Sequence, residues 1–554
     1  MKTIFALLFS AALFAQPGLY KITYLKSSNG SLIDKQDPVV VFADANQTIV
    51  TSREAIDKKG TYPYESIYIN RQDFSYRQLA HLSAGNFALM TDSTSIVKQT
   101  FEITGQTKTI LGYRCELAKT VINSNTIELW FTRDLPLRAA PGVLGTMLGL
   151  VLEVTRNGNF TTLATSVEPV TAIPASVAFP KQKIPATDAL TYRDQVWKSR
   201  FTTLPVFKKQ VVNFTDNVKH QGDIRRFASG TVIVKKIRIP EIKPGSQVFV
   251  NLTEQSNGDA YDRTGSVFII PTDRKLSFLN GLEETIKTLP VYDNGNGKAY
   301  QGVALTPDYL PLVELMRFFT PFGISHYNTI KLKNRVWQDS VYFRQDISDL
   351  RPMLSGKEVW IGAQIGNYDK GGHRVSLDLT IHPDNSSVNP ENFVLPLFNT
   401  NNVMEMAGQE YGTMFNVDKG LEVTFTLTAA VKDAKLRYIT TGHGGWENGD
   451  EFVKKKNTLF LNGKQVFSFV PWRTDCGSYR TFNPASGNFD NGLSSSDYSR
   501  SNWCPGMVTY PVYIDLGNLE AGEHTIQVKI PMGKPEGTSF SAWNVSGVLL
   551  GNTN

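Results

Sequence analysis

The sequence predicts a mainly β protein: two adjacent antiparallel jelly-roll β-sandwich domains preceded by a β-rich N-terminal domain. Three observations carry this. Short segments in the second half alternate apolar and polar residues, which gives a pleated strand one buried face. Aromatic residues make up 11% of the 554, including 21 Tyr and 32 Phe, a composition that favours strands. The 43 Gly and 27 Pro supply the turns between them.

In chain order, Lys2 and the apolar run Ile4 to Phe14 read as a secretory leader, residues 1–15, too short to span a bilayer. The expected mature start is Gln16, and an exported protein, periplasmic or secreted, follows. No later apolar stretch is long enough to cross a membrane; Gly145, Thr146 and Gly149 interrupt Val143 to Val154. Residues 16–205 form the β-rich N-terminal domain with a linker. It contains the alternating strand Leu19 to Leu25, the segment Leu111-Gly-Tyr-Arg-Cys-Glu-Leu-Ala118 and the glycine-punctuated run Ala140 to Val154. Those last two elements resemble the GLPGLI family of secreted proteins, which has no defined activity to carry over. The stretch around Trp197 reads as linker with a short helix. Strands are expected at Gly230–Pro240, Ser246–Leu252, Val375–Ile381, Leu421–Leu427, Thr458–Gly463 and Thr525–Ile530. They fall into jelly rolls at 210–388 and 389–554. Helical stretches are few in this half, and Pro311 to Phe318 and Leu279 to Thr288 are the better candidates.

The net charge of +6 is small for this length and interspersed. Lys235-Lys236 and Lys454 to Lys456 fit solvated strand edges better than a nucleic-acid patch, so no nucleic-acid partner is expected. Export permits disulfides among Cys115, Cys476 and Cys504, and spacing alone leaves the pairing open.

Three segments carry candidate chemistry. Asp497-Tyr-Ser-Arg-Ser-Asn-Trp-Cys-Pro-Gly-Met507 sets an Arg and a Trp on a Pro-Gly bend before an alternating strand, Val508 to Leu516. It suits a sugar, which is polar with an apolar face, or else a structural corner with a buried Trp and a disulfide. Gly258-Asp-Ala-Tyr-Asp-Arg-Thr264 brings two carboxylates and an Arg to the mouth of a strand; the bland reading is an Asx turn with a surface ion pair. Gly442 to Val453 holds Trp446 and the adjacent acids Asp450 and Glu451, of which only one can face a site if the backbone is extended. Two acids from separate loops beside an Arg make a hydrolytic site, and composition does not separate sugar-bond from amide-bond cleavage.

Residues from about 210 to 554 resemble the peptide-N-glycosidase F family of bacterial amidases. The resemblance rests on Asp259-Ala-Tyr-Asp-Arg263, Arg317-Phe-Phe-Thr-Pro321, Gly449-Asp-Glu-Phe-Val453 and Arg500-Ser-Asn-Trp-Cys-Pro-Gly-Met507. It implies hydrolysis of the amide between Asn and the first GlcNAc of N-linked glycans. It makes Asp262 the primary catalytic carboxylate and Glu451 its assistant. Arg263 and Arg500 would keep Asp262 ionised and bind the first GlcNAc, with Trp503 packing beneath the sugar. A Cys476–Cys504 disulfide is implied, with no metal and no cofactor. N-linked glycoproteins and glycopeptides are the partners, and a monomer is expected. Gln364 stands where the family pattern calls for Glu, and Gly366 and His443 replace aromatics; the insertion from about 272 to 306 is new and could line the cleft. An inactive N-glycan-binding relative is the alternative. A copper site finds little support, because His81, His220, His326, His373, His382, His443 and His524 form no tight cluster.

Overall fold

The computed structural model describes residues 18–324, 331–384, 391–410, 412–444, 449–484, 495–533 and 541–553. Trp446, His326 and the leader lie outside them. The chain divides into two units, Met1–Phe201 and Thr202–Asn554.

The first unit is built on one 13-stranded sheet, antiparallel except where Ala186–Thr187 joins Asn86–Asp92 in parallel. The Gly112-Tyr-Arg-Cys115 element enters strand Tyr113–Ile122, where Cys115 is a buried free thiol whose pKa burial pushes up to about 11. The short helix expected near Trp197 is Ala189–Lys198, started by Asp188, whose carboxylate accepts the N–H groups of Leu190 and Thr191.

Among the described residues, the second unit holds two sandwiches of two sheets each, and a two-stranded ladder pairs Val291–Tyr292 with Tyr300–Gln301. One pairs the four-stranded sheet Thr202–Val212, His373–His382, Gln247–Ser256, Ser340–Asp346 with a six-stranded one. That second sheet runs Ile224–Phe227, Val232–Arg238, Glu358–Ile365, Thr264–Ile270, Val313–Phe319 and Val508–Thr509. The other sandwich packs Phe393–Asn399, Ala542–Asn552, Val431–His443, Val512–Leu519 on Leu421–Leu427, Gly522–Lys529, Asn457–Leu461, Lys464–Phe469. Each sandwich encloses its own apolar core.

Two local expectations are overturned. Pro311 to Phe318 is not a helix. Val313–Phe319 is a strand buried on both faces, so it lacks the alternation that marks a half-exposed strand. Leu315 and Phe318 enter the first core, while Glu314 and Arg317 face the second sandwich. Val508 to Leu516 is not one strand either. Val508–Thr509 pairs with Arg317 and Phe318 in the first sandwich, and the chain then crosses at Tyr510-Pro511 into the second. Pro511 has no N–H for a continuous ladder.

Buried polar bonds set one sandwich against the other. Arg317 Nη1 donates to the Asn544 carbonyl at 2.6 Å, and Arg437 Nη1 to the Glu314 carbonyl at 2.9 Å. Ser546 and Asn401 donate to the Glu314 carboxylate at 2.7 and 2.8 Å. Burial alone would raise the Glu314 carboxyl, yet Arg317 and these donors hold it below its ordinary value. Breaking such a buried network by removing one partner costs about 3–5 kcal/mol, so the cleft between the sandwiches has fixed walls.

The insertion does not line that cleft. Its helix Phe278–Glu283 and the turn Ile286–Thr288 cover the outer face of the six-stranded sheet, packing Phe278, Leu282, Ile286 and Leu289 on Val232, Phe268, Val403 and Met404. Gln409 Nε2 donates to the Gln301 carbonyl at 2.9 Å, so the insertion supports the 403–409 segment from behind.

Candidate active site

The site forms where the loop before strand Thr264–Ile270, the 449–453 loop and the 495–507 loop meet. Asp262 ends the first loop. Its neighbour Arg263 is pinned by a 2.9 Å bond from its N–H to Thr320 Oγ1 and by Thr320 N–H to its carbonyl at 3.0 Å. Gly265, just inside the strand, has no room for a Cβ, which would lie 2.2 Å from the Phe318 ring. Glu451 arrives from the second sandwich. Of the adjacent acids, Asp450 turns inward, accepting Trp543 Nε1–H at 2.7 Å and the Gly533 N–H at 2.9 Å. Glu451 turns to the site, and its carbonyl accepts the Ser501 N–H at 2.9 Å, tying it to the third loop.

Arg500 joins the two acids. Its Nη1 lies 3.1 Å from Asp262 Oδ2 and also bonds Glu451 Oε1. Its Nη2 donates to the Ser495 carbonyl at 2.6 Å and to Ser495 Oγ at 3.1 Å. The guanidinium is 1% exposed, and the Asp262 and Glu451 side chains are 15% and 17% exposed. A planar fork can serve several oxygens at once, which an ammonium cannot.

Burial dominates the ionisation of this pair. It raises both carboxyls, and Arg500 only partly opposes it. Glu451 is pushed up to about 7, with the Asp262 charge adding to its rise. Asp262 has Arg263 as a second cation against its own rise. The pair therefore ionises first at Asp262 and keeps a proton on Glu451, the arrangement expected of like charges in a dry site. Arg500 thus does not cancel the effect of burial on Asp262.

Trp503 does not offer a face to a ligand. It is 4% exposed. Phe319 stacks on the ring at 4.4 Å between centroids, the Arg500 guanidinium sits 4.3 Å from its centroid, and its N–H donates to the Gly442 carbonyl at 2.9 Å. It is the platform on which Arg500 rests. Cys476 and Cys504 are disulfide-bonded behind it, in a small buried cluster with Met507. The structural-corner reading of this loop holds, with its buried Trp and its disulfide, and the same loop brings Arg500 beside Asp262 and Glu451.

Arg263 serves Asp259 more than Asp262. It donates through Nε at 2.7 Å and Nη2 at 3.1 Å to the two Asp259 oxygens.

Beside Asp262 a cavity of about 220 Å³ is lined by Asp262, Arg263, Thr264, Gln364, Gly366 and Tyr368 from one sandwich and Asn401, Asn402, Glu405, His443 and Asn544 from the other. Gln364 is thus at the cavity, buried on strand Glu358–Ile365 opposite Ser266. His443 is kept neutral, its pKa lowered to about 3 by burial and by Arg317 and Arg500. Both side-chain polar atoms of Asn402, and the Oδ1 atoms of Asn401 and Asn544, are buried without a hydrogen-bond partner among the described residues. Such groups cost free energy unless something polar meets them.

Sequence reasoning missed Glu405. Its Oε1 accepts the Tyr368 hydroxyl at 2.8 Å, and its Oε2 lies 3.7 Å from where a Cβ on Gly366 would stand, with Gln364 Nε2 at 3.2 Å from the same point. A carboxylate from the second sandwich therefore stands beside the uncharged Gln364. No motif marks Glu405; it follows two buried apolar residues, Val403 and Met404, in a short turn.

Known proteins resemble this chain along most of its length. Family models described as "N-glycanase peptide, N-terminal domain", "Peptide-N-glycosidase F, N terminal" and "Peptide-N-glycosidase F, C terminal" match residues 22–194, 203–381 and 410–550. No match is found among curated proteins. A solved structure of PNGF-II in space group C2 is 56% identical, covers 97% of this chain and 98% of its own, and superposes with a TM-score of 0.91. A second crystal form of PNGF-II gives the same identity and TM-score, over 97% of this chain and 100% of its own. PNGase F, a glycosylasparaginase from Flavobacterium meningosepticum, is 17% identical over 64% of this chain and 96% of its own, with a TM-score of 0.42.

Proposed function

We propose, from the premise that this chain belongs to the peptide-N-glycosidase F family, that it is a peptide-N4-(N-acetyl-β-glucosaminyl)asparagine amidase acting on N-linked glycoproteins and glycopeptides. One observation carries the reading: Asp262 and Glu451, 189 residues apart in sequence (451 − 262), meet at the same Arg500 nitrogen, Asp262 as an ion pair at 3.1 Å and Glu451 through a hydrogen bond, at the edge of a polar cavity.

The chemistry follows from the protonation order. Ionised Asp262 takes a proton from water, whose oxygen bonds to the Asn side-chain carbonyl carbon. Protonated Glu451 delivers its proton to the glycosyl nitrogen as the carbon–nitrogen bond breaks. The peptide is left with Asp. The sugar leaves as a glycosylamine, which exchanges ammonia for water in solution. Arg500, already oriented by Ser495 and Trp503, stabilises the negative charge that develops on the tetrahedral centre, and does so best in a site from which water is largely excluded. The unpartnered amide of Asn402 and the unpartnered Asn544 Oδ1 suit the hydroxyl and acetamido groups of the first GlcNAc. Glu405 supplies an acceptor beside Gln364, so an uncharged residue at 364 does not leave the cavity without a second acid. The leader-like N-terminus and the Cys476–Cys504 disulfide support export.

A glycopeptide incubated with the protein tests the reading. Free glycan together with a peptide whose Asn has become Asp is expected. Retention of intact glycopeptide with measurable binding would make the protein an N-glycan-binding relative instead.

A further inference from the structure

We infer that His373 is a positioning residue of this amidase site: clamped between Glu254 and Asp259, its ring holds the loop that carries Asp262 and fixes the Arg263 charge beside it. The inference rests on the amidase reading above. His373 opens strand His373–His382 and is fully buried. Its Nδ1 is 2.8 Å from Glu254 Oε1, and its Nε2 is 3.3 Å from Asp259 Oδ2. Both ring nitrogens face carboxylate oxygens, so both need a proton to donate. Burial alone would lower the pKa of this imidazole, but the bonds to Asp259 and Glu254 outweigh it and raise it to about 9.

The chain of contacts runs to the site. Asp259 receives His373 on one side and the Arg263 fork on the other, and its Oδ1 also accepts the Tyr261 N–H at 3.1 Å. These donors hold Asp259 well below the usual carboxylate range despite its burial. The Asp259 and Asn257 N–H groups bond the Gly372 carbonyl, so the loop is stitched to the residue preceding His373. Asp262 therefore sits between two anchors, Asp259 through His373 and Arg263 through Thr320. The other charged groups nearby are spoken for. Asp369 accepts the Gly371 and Gly372 N–H groups at 2.7 and 2.8 Å, and Arg374 donates to Asn257 at 2.6 Å. Glu254 Oε2 is buried with no hydrogen-bond partner among the described residues, and Glu254 Oε1 meets His373. A neutral imidazole has only one N–H. It would leave Glu254 or Asp259 buried without its donor, and the loop would lose an anchor.

The test is the pH dependence of turnover on a glycopeptide, measured with the full chain. In the wild type, kcat falls first near pH 7 as Glu451 loses its proton and again, more steeply, above about pH 9 as His373 loses its own; this second fall is the alkaline limb that reports His373. His373→Asn lowers kcat by about 10- to 100-fold with KM nearly unchanged, the scale of a small misplacement of a reacting group, and its alkaline limb disappears. Glu254→Gln removes one of the two anions and leaves His373 and Asp259 in place. It moves the alkaline limb down by about one pH unit or more while kcat at neutral pH stays close to wild type. A purely structural His373 would not shift that limb. An unmoved limb in Glu254→Gln would overturn the inference, as would a His373 imidazole that titrates near its ordinary value in nitrogen NMR. If His373→Asn does not fold, Glu254→Gln decides alone. Failure of the amidase reading looks different: no turnover by the wild type at any pH, with the His373 spectrum unaffected.

Discussion

Replacing Arg500 by Gln probes the site where its charges meet. The substitution keeps a side chain of similar reach and removes the cation. Asp262 loses a contact at 3.1 Å, Glu451 loses its bond to the same nitrogen, and the Ser495 carbonyl loses its 2.6 Å donor. Hydrogen bonds to charged groups contribute about 1.5–3 kcal/mol each. Losing those to Glu451 and to the Ser495 carbonyl therefore removes about 3–6 kcal/mol from a site that binds the developing charge. At ~1.4 kcal/mol per decade, kcat/KM should fall by about 10²- to 10⁴-fold. The pH profile should change in a definite direction. Arg500 opposes the burial-driven rise of both acids, so without it both rise further, and the acid limb that reports ionisation of Asp262 moves to higher pH. The assay is release of glycan from a glycopeptide by mass spectrometry between pH 4 and 10. A variant with more than a tenth of wild-type activity and an unmoved acid limb would refute this assignment of Arg500.

Trp503→Ala should cost about 3–5 kcal/mol of stability as a buried aromatic deletion and depress kcat through Arg500, without weakening glycan binding as an open stacking face would; thermal unfolding and a binding isotherm separate the two. Glu451→Gln should lower turnover strongly and also flatten stability against pH. The folded-state pKa of Glu451 is raised from 4.5 to about 7, so its neutral form favours the fold below pH 4.5 and that contribution is lost as pH rises through 7. The Tm of Glu451→Gln should therefore exceed wild type at pH 8 and match it at pH 4, and a gain at pH 4 instead would contradict the sign. Gln364→Glu places a third acid beside Glu405 and Asp262, so it should raise the acid limb of the pH profile; an unchanged profile would mean that 364 does not sense the site.

Much of this site was legible in the sequence, though not all of it. Asp262, Glu451 and Arg500 lie in short polar loops with recognisable motifs, and a resemblance carried them to one place. The choice of Glu451 over Asp450 came from the resemblance, since alternation said only that one of the two could face the site in an extended backbone; Trp543 takes Asp450. Trp503 was misread because an exposed stacking Trp and a buried supporting Trp share a sequence; only the positions of Phe319 and Arg500 distinguish them. Glu405 and His373 carry no local signal, since each is defined by partners from distant strands. At the level of elements, Val313–Phe319 was read as helix because a strand covered on both faces by two sandwiches shows no alternation. The insertion was placed in the cleft because a new segment near a site invites that guess, whereas Phe278, Leu282 and Leu289 need an apolar surface and find it behind the sheet.

The most direct measurement is digestion of an N-glycopeptide in heavy-oxygen water by the wild type and Asp262→Asn. The wild type should yield free glycan and an Asp-containing peptide carrying one heavy oxygen in its new carboxyl group, and the variant should still bind the glycopeptide but yield neither product. A peptide that keeps one GlcNAc on an unlabelled Asn, or equal turnover by Asp262→Asn, would contradict an amide-cleaving site centred on Asp262.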